Sequence, residues 1–136
     1  MTYVLVMEDI NANKYKIDDK IKIQTQYAKP EASTMQLKKG EELTVNDLIR
    51  GMMIVSGNDA ADELAVKSEG SVEKFVQRMN KKAAELELKS ANFYSASGYP
   101  ENDKENLMSA KDLAKLTTYT INNYPQVLNY TKTQKL

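Results

Sequence analysis

The 136 residues suffice for one domain with its own core and fall short of two. Nineteen Lys and Arg balance nineteen Asp and Glu, so no field of one sign exists to draw nucleic acid or an anionic membrane surface. The absence of cysteine and histidine excludes disulfides, thiolate nucleophiles, Ser-His-Asp or Cys-His triads and most transition-metal sites. No cofactor or metal is expected, and acid–base chemistry would have to run on Lys, carboxylate, Tyr or hydroxyl groups.

With 41% hydrophobic and 28% charged residues, the chain has the composition of a folded protein. No stretch approaches the roughly 18–20 apolar residues of a membrane span. Residues 1–7 are apolar, but the run ends at Glu8-Asp9 without a basic start or a small-residue cleavage site, so it is not read as a signal peptide.

Residues 2–13 read as a helix entered partway along, with Val4, Leu5 and Ile10 and little to cap it. Residues 20–24, Lys-Ile-Lys-Ile-Gln, alternate with the period of a half-buried strand. Residues 33–37 are the expected short partner, with Lys39-Gly40-Glu41 as a turn after it. From Thr44 the pattern turns helical: Val45, Leu48, Ile49 and Met52 share a face behind the capping-box-like Thr44-Val45-Asn46-Asp47. Gly57 breaks that run, and residues 59–69 read as an Ala-rich helix closed by Gly70. Behind a Ser71 N-cap, Val72, Phe75, Val76, Met79, Ala83 and Leu86 hold one face of a longer helix. Residues 92–106, with Gly98, Pro100 and many polar side chains, read as a long surface loop. Ser109 caps a last helix with Ala110, Leu113, Ala114, Thr117 and Ile121 on one face, and Pro125 stops it. The fold class is mainly α with a short β hairpin, in a single domain over residues 1–136.

The chemistry-bearing candidate is Ser56-Gly57-Asn58, between two helices. A hydroxyl and a carboxamide two residues apart on a rigid corner can relay a proton and bind a substrate carbonyl without histidine. The same residues fit an ordinary cap, in which Ser56 only satisfies a backbone N–H of the second helix. Taken alone, the four residues Ser56-Gly57-Asn58-Asp59 favour the cap.

The surrounding sequence favours the chemistry. Residues 43–65, Leu-Thr-Val-Asn-Asp-Leu-Ile-Arg-Gly-Met-Met-Ile-Val-Ser-Gly-Asn-Asp-Ala-Ala-Asp-Glu-Leu-Ala, closely resemble the Ser-x-Asn region of D-alanyl-D-alanine carboxypeptidases, the low-molecular-mass penicillin-binding proteins. The likeness is collinear over nearly the whole chain, through residues 35–41, 75–83, 93–100, 109–114 and 124–128. It implies the helical subdomain of the α+β DD-peptidase/serine β-lactamase-like fold and an extracytoplasmic parent protein. The implied ligands are peptidoglycan stem peptides ending in D-Ala-D-Ala, and β-lactams. Members use Ser-x-x-Lys, Ser-x-Asn and Lys-Thr-Gly in that order. By resemblance, Ser56 would shuttle a proton between the lysine and the leaving D-alanine, and Asn58 would hydrogen-bond the substrate amide. The nucleophile motif is expected just before Met1 and Lys-Thr-Gly well beyond Leu136, so the isolated chain is expected to be inactive. Ser97 stands where the family often has histidine, a position read as structural.

Two look-alikes are set aside. Ser71-Val72-Glu73-Lys74 follows Ser56 instead of preceding it and has work as a cap, and Lys132-Thr133-Gln134 lacks the glycine. Tyr94 and Tyr99 are at most groove contacts, and the seven methionines read as core filler. Other readings are a related transpeptidase or serine β-lactamase, or a non-catalytic helical interaction module. An isolated helical subdomain would expose the apolar face that meets its sheet, so self-association through that face is expected.

Overall fold

Six helices and one pair of short strands make up the described residues, 1–24 and 31–136, of the computed structural model. In chain order these are α1 (Thr2–Asn11), β1 (Lys20–Lys22), β2 (Glu42–Thr44), α2 (Val45–Ile54), α3 (Asn58–Glu69), α4 (Val72–Glu85), α5 (Ala110–Asn123) and α6 (Val127–Thr131). The mainly helical class with a short antiparallel pair is the one the sequence predicts.

The core is built on α1, whose residues 2–7 are all buried. A helix apolar on every side is one enclosed by others, and α2, α3 and α4 supply Leu48, Ile49, Leu64, Phe75 and Met79 against it. Local signals set the ends of these helices. Thr44 Oγ1 accepts the Asp47 N–H at 3.0 Å while Asp47 Oδ2 accepts the Thr44 N–H at 3.0 Å, the reciprocal pair read from the sequence. Gly70, at φ 80°, ends α3 in the left-handed conformation that glycine adopts without strain. Ser71 Oγ then accepts the Lys74 N–H at 3.2 Å and starts α4.

The strands pair Lys20 with Thr44, Ile21 with Leu43 and Lys22 with Glu42. Ile21 and Ile23 are buried while Lys20 and Lys22 face out, as the alternation predicts. The partner differs from the expected one. The turn at Lys38–Glu41 precedes the second strand, and residues 33–37 lie outside the sheet. The N–H groups of Met35 and Leu37 are taken by a carboxylate on α3, described below, and are lost to a strand ladder.

An ion network ties α1 to α3 and α4. Arg78 Nη1 donates to Asp9 Oδ1 at 2.7 Å and to Glu69 Oε1 at 2.8 Å, and the Tyr15 and Ser68 hydroxyls donate to Asp9 Oδ2. Burial pulls Arg78 toward losing its proton, but its bonds to Asp9 and Glu69 outweigh that and raise its pKa above the usual value. Burial pushes Glu69 up, and the bonds from Arg78 and Lys14 overcome it and bring the carboxyl below its ordinary range.

The face grouped on α5 stands open: Leu113 and Ile121 are 55% and 38% exposed, and the buried residues are Asp112 and Leu116. One expectation is corrected. Residues 92–106 are more than a surface loop, because Phe93, Ser95 and Ala96 are buried. Asn80 brackets Phe93, accepting its N–H and donating to its carbonyl, each at 2.8 Å. Asn106 does the same for the next turn, accepting from Tyr94 N–H at 2.7 Å and Ser95 N–H at 3.0 Å and donating to the Ser95 carbonyl at 3.0 Å.

Candidate active site

The α2–α3 corner separates the two readings of Ser56-Gly57-Asn58. The N-cap of α3 is Gly57, and no side chain caps it. Ser56 instead sits at φ 56°, the left-handed region that a non-glycine residue enters at a cost of about 1 kcal/mol or more. It is exposed, and among the described residues its hydroxyl has no hydrogen-bond partner. The cap reading therefore fails on geometry. The left-handed turn ends α2, bringing the Gly57 N–H to the Gly51 carbonyl at 3.0 Å, and it leaves the Ser56 hydroxyl exposed at the corner.

Asn58 is 8% exposed and held from outside its own helix. Its backbone N–H donates to the Ser33 carbonyl at 2.9 Å, and its side-chain Nδ2 donates to the same oxygen at 2.8 Å. A longer contact runs from Nδ2 to the Ser56 carbonyl at 3.4 Å. With Nδ2 turned to two carbonyls, Oδ1 is the carboxamide atom whose chemistry suits accepting a ligand N–H. The expectation that the amide would donate to a substrate carbonyl thus requires Nδ2 to leave the weaker of its two contacts.

The corner is packed from one side by residues 33–37, which sequence reasoning placed in a strand. Asp59, 1% exposed, accepts the N–H of Met35 on Oδ1 at 2.9 Å and of Leu37 on Oδ2 at 3.0 Å. Between them, Gln36 at φ 59° turns both amides toward the one carboxylate. The Met35 side chain crosses Gly51 so closely that a Cβ there would lie 1.8 Å from its sulfur. Sequence reasoning placed Asp59 only in a possible cap and Ser33 in a strand, and gave neither them nor Gly51 a role at the site. The available signal was an acidic residue in the first turn of a helix that already has a glycine cap.

Ser56 and Gly57 line a groove of about 570 Å³ whose other walls are the start of α1, Met52 and Met53 of α2, Ser97 in the 92–106 segment, and the exposed stripe of α5. Asn58 stands behind this wall and does not line it. The Ser97 hydroxyl accepts the Tyr99 N–H at 3.2 Å, consistent with a structural position at the rim. Neither look-alike enters the site: Ser71 caps α4, and the Thr133 hydroxyl donates to the Asn129 carbonyl just beyond α6. Among the described residues no group of three His, Cys, Asp or Glu side chains is placed to hold a metal ion, and no helix is long and apolar enough to cross a membrane.

Comparison with known proteins gives this geometry a family. The D-alanyl-D-alanine carboxypeptidase family model matches residues 1–136. The carboxypeptidase DacF of Bacillus subtilis is 37% identical over 133 residues, which are 98% of this chain and 33% of that protein. Among solved structures, penicillin-binding protein D2 of Listeria monocytogenes in its cefotaxime-bound form superposes with a TM-score of 0.87 at 31% identity, over 97% of this chain and 53% of that one. A peptidoglycan synthesis regulatory factor from Streptococcus pneumoniae gives 0.88 at 28% identity, over 97% and 43%. The fold is thus the helical part of a penicillin-binding protein domain. The chain belongs to the D-alanyl-D-alanine carboxypeptidase family, and it spans about a third of the length of its Bacillus relative.

Proposed function

We propose that this chain is the Ser-x-Asn-bearing helical segment of a serine-type D-Ala-D-Ala carboxypeptidase acting on peptidoglycan stem peptides outside the cytoplasm. The observation that carries the reading is Ser56: left-handed, exposed, groove-lining and not a helix cap. In the reaction a serine oxygen supplied by the family's Ser-x-x-Lys attacks the penultimate D-alanine carbonyl. The C–N bond to the terminal D-alanine then breaks, and the leaving nitrogen takes up a proton. Ser56 relays that proton from the lysine, and Asn58 holds the substrate amide. Water afterwards attacks the acyl-enzyme ester and frees the shortened peptide. A β-lactam would acylate the same serine.

These 136 residues contain no Ser-x-x-Lys ahead of Ser56 and no Lys-Thr-Gly after it, so the chain alone is inert in this proposal. The open wall of α5 and α6 supports a larger parent: Leu113 and Ile121 on α5 and Leu128 on α6 are an apolar surface that further chain would cover. Left uncovered, the same wall is where isolated copies would associate.

Fluorescent penicillin tests the proposal. The full-length protein should be labelled covalently and the 136-residue chain should not. Ser56→Ala or Asn58→Ala in the full-length protein should slow both labelling and D-alanine release by about 10²-fold or more, the usual scale for losing a proton relay or a positioned donor. Stable labelling of the isolated chain, or unchanged rates in Asn58→Ala, would sink it.

A further inference from the structure

Three ties join residues 33–37 to the Ser56–Asn58 corner, and all three act on backbone or on the one side chain that matters. Asp59 collects the N–H groups of Met35, Leu37 and Ala60, at 2.9, 3.0 and 3.0 Å. The Ser33 carbonyl, two residues before Met35, takes both N–H groups of Asn58. Met35 lies in the notch between Gly51 and Gly57, its Cγ 3.1 Å from where a Cβ on Gly57 would stand. Asp59 is buried, and among the described residues no Lys or Arg forms an ion pair with it. Among the described residues its carboxylate is bonded by backbone N–H groups. The carboxylate suits the first turn of α3, where it takes the Ala60 N–H, but its two remaining bonds leave the helix for Met35 and Leu37. What the charge does is fix the distance and angle of residues 33–37 relative to α3, and through Ser33 that fixes the carboxamide of Asn58.

We infer that Asp59 is a positioning residue for the proposed reaction: its carboxylate holds residues 33–37 as a brace, and the brace orients Asn58 through the Ser33 carbonyl. The inference rests on the proposed carboxypeptidase reading. Asp59 itself meets no substrate. Its effect is on the step in which Asn58 holds the substrate amide in register with the leaving nitrogen, where an ångström of displacement costs about 10²-fold. Gly51 belongs to the same device. Alanine would be the better helix residue there, yet its methyl would displace the Met35 sulfur and with it the brace.

The test uses the full-length protein, with active sites counted by stoichiometric fluorescent-penicillin labelling so that rates are expressed per folded, competent molecule. Asp59→Asn keeps the shape but turns an NH₂ toward one of the N–H donors. It should lower kcat per labelled site by about 10-fold or more while KM moves less than about 3-fold, a loss expected of misplacement after binding. Amide exchange at Asn58 should accelerate together with Met35 and Leu37. If Asp59 only stabilised the fold, the labelled fraction would fall and kcat per labelled site would hold, which overturns the inference. So would faster exchange at Met35 and Leu37 with exchange at Asn58 and kcat unchanged. Should Asp59→Asn not fold, the glycine route decides. Gly51→Ala should depress kcat, and Gly51→Ala with Met35→Ala should recover most of it; a double variant no better than the single overturns the brace. Ser56→Ala separates the levels. Full activity in Ser56→Ala refutes the carboxypeptidase reading, whereas an inactive Ser56→Ala beside a fully active Asp59→Asn refutes only the brace.

Discussion

Replacing Arg78 with methionine removes the centre of the network that joins α1, α3 and α4 while keeping the length of the side chain. Arg78 donates from Nη1 to Asp9 at 2.7 Å, Glu69 at 2.8 Å and Ser68 Oγ at 3.0 Å, and Nη2 lies 3.4 Å from Glu8. Its loss strands Asp9, whose side chain is only 4% exposed. Breaking a buried pair in this way costs about 3–5 kcal/mol when nothing compensates. Here the Tyr15 and Ser68 hydroxyls still donate to Asp9, and Lys14 lies 3.7 Å away with a side chain 45% exposed. Arg78 itself is 23% exposed, so part of the pair is screened. The net expectation is about 2–3 kcal/mol of lost stability. Lys115→Met is the matched control, because the Lys115–Glu87 pair, 50% and 78% exposed, should contribute less than about 0.5 kcal/mol. Urea unfolding followed by far-ultraviolet circular dichroism reads both, provided the slope with denaturant is unchanged. Adding Asp9→Asn to Arg78→Met should restore part of the loss, since the stranded charge is then gone. An Arg78→Met variant as stable as Lys115→Met would refute the claim that this network holds α1 in place.

Ser56→Gly should separate stability from chemistry: relief of the left-handed backbone stabilises by about 0.5–1 kcal/mol, while loss of the hydroxyl slows penicillin labelling at least about 10-fold. A variant destabilised by more than 1 kcal/mol, measured in the same urea experiment, would show that the hydroxyl serves the fold after all. Stability should also fall at both ends of the pH scale. Glu69 and Asp47 titrate below their ordinary 4.5 and 3.8, so the stability they contribute is present above those values and lost as pH falls through their lowered folded-state pKa values. On the alkaline side, burial pushes Tyr124 up to about 12 from 10.0, and Tyr130 upward as well. Their contribution is complete below pH 10.0 and lost as pH rises through the folded values. Thermal unfolding across pH checks both limbs, and a midpoint that stays constant from pH 10 to 12 would contradict the second.

Features governed by adjacent residues were legible in the sequence. The Thr44–Asp47 box, Gly70 and the Ser71 cap each depend on partners three or four residues away, and each stands where the pattern placed it. The Ser56-Gly57-Asn58 corner was legible as a motif, but its conformation was not: a cap and a strained, exposed hydroxyl share the same letters. What stayed hidden depended on distant backbone. The tie from Asp59 to Met35 and Leu37 crosses 24 and 22 residues, and a carboxylate that accepts main-chain N–H groups leaves no mark in hydrophobic periodicity. That tie turned an expected strand into a brace. The stripe on α5 was legible as a face but not in what it meets. Leu113 and Ile121 were correctly grouped on one face, yet in these residues the face lines a groove.

The bracketing of Phe93, Tyr94 and Ser95 by Asn80 and Asn106 has a consequence for how this groove can change. The two carboxamides hold residues 93–95 and a backbone bridge joins Asn92 to Leu107, so the entry and exit of the 92–106 segment are both fixed. The residues from Pro100 through Lys104 are exposed, and the turn closes on itself through the Glu101–Lys104 bridge. The rim can therefore be lengthened, shortened or recharged while its two Asn clasps stay shut. Change in length or charge has its cheapest route there, outside the Ser56–Asn58 corner.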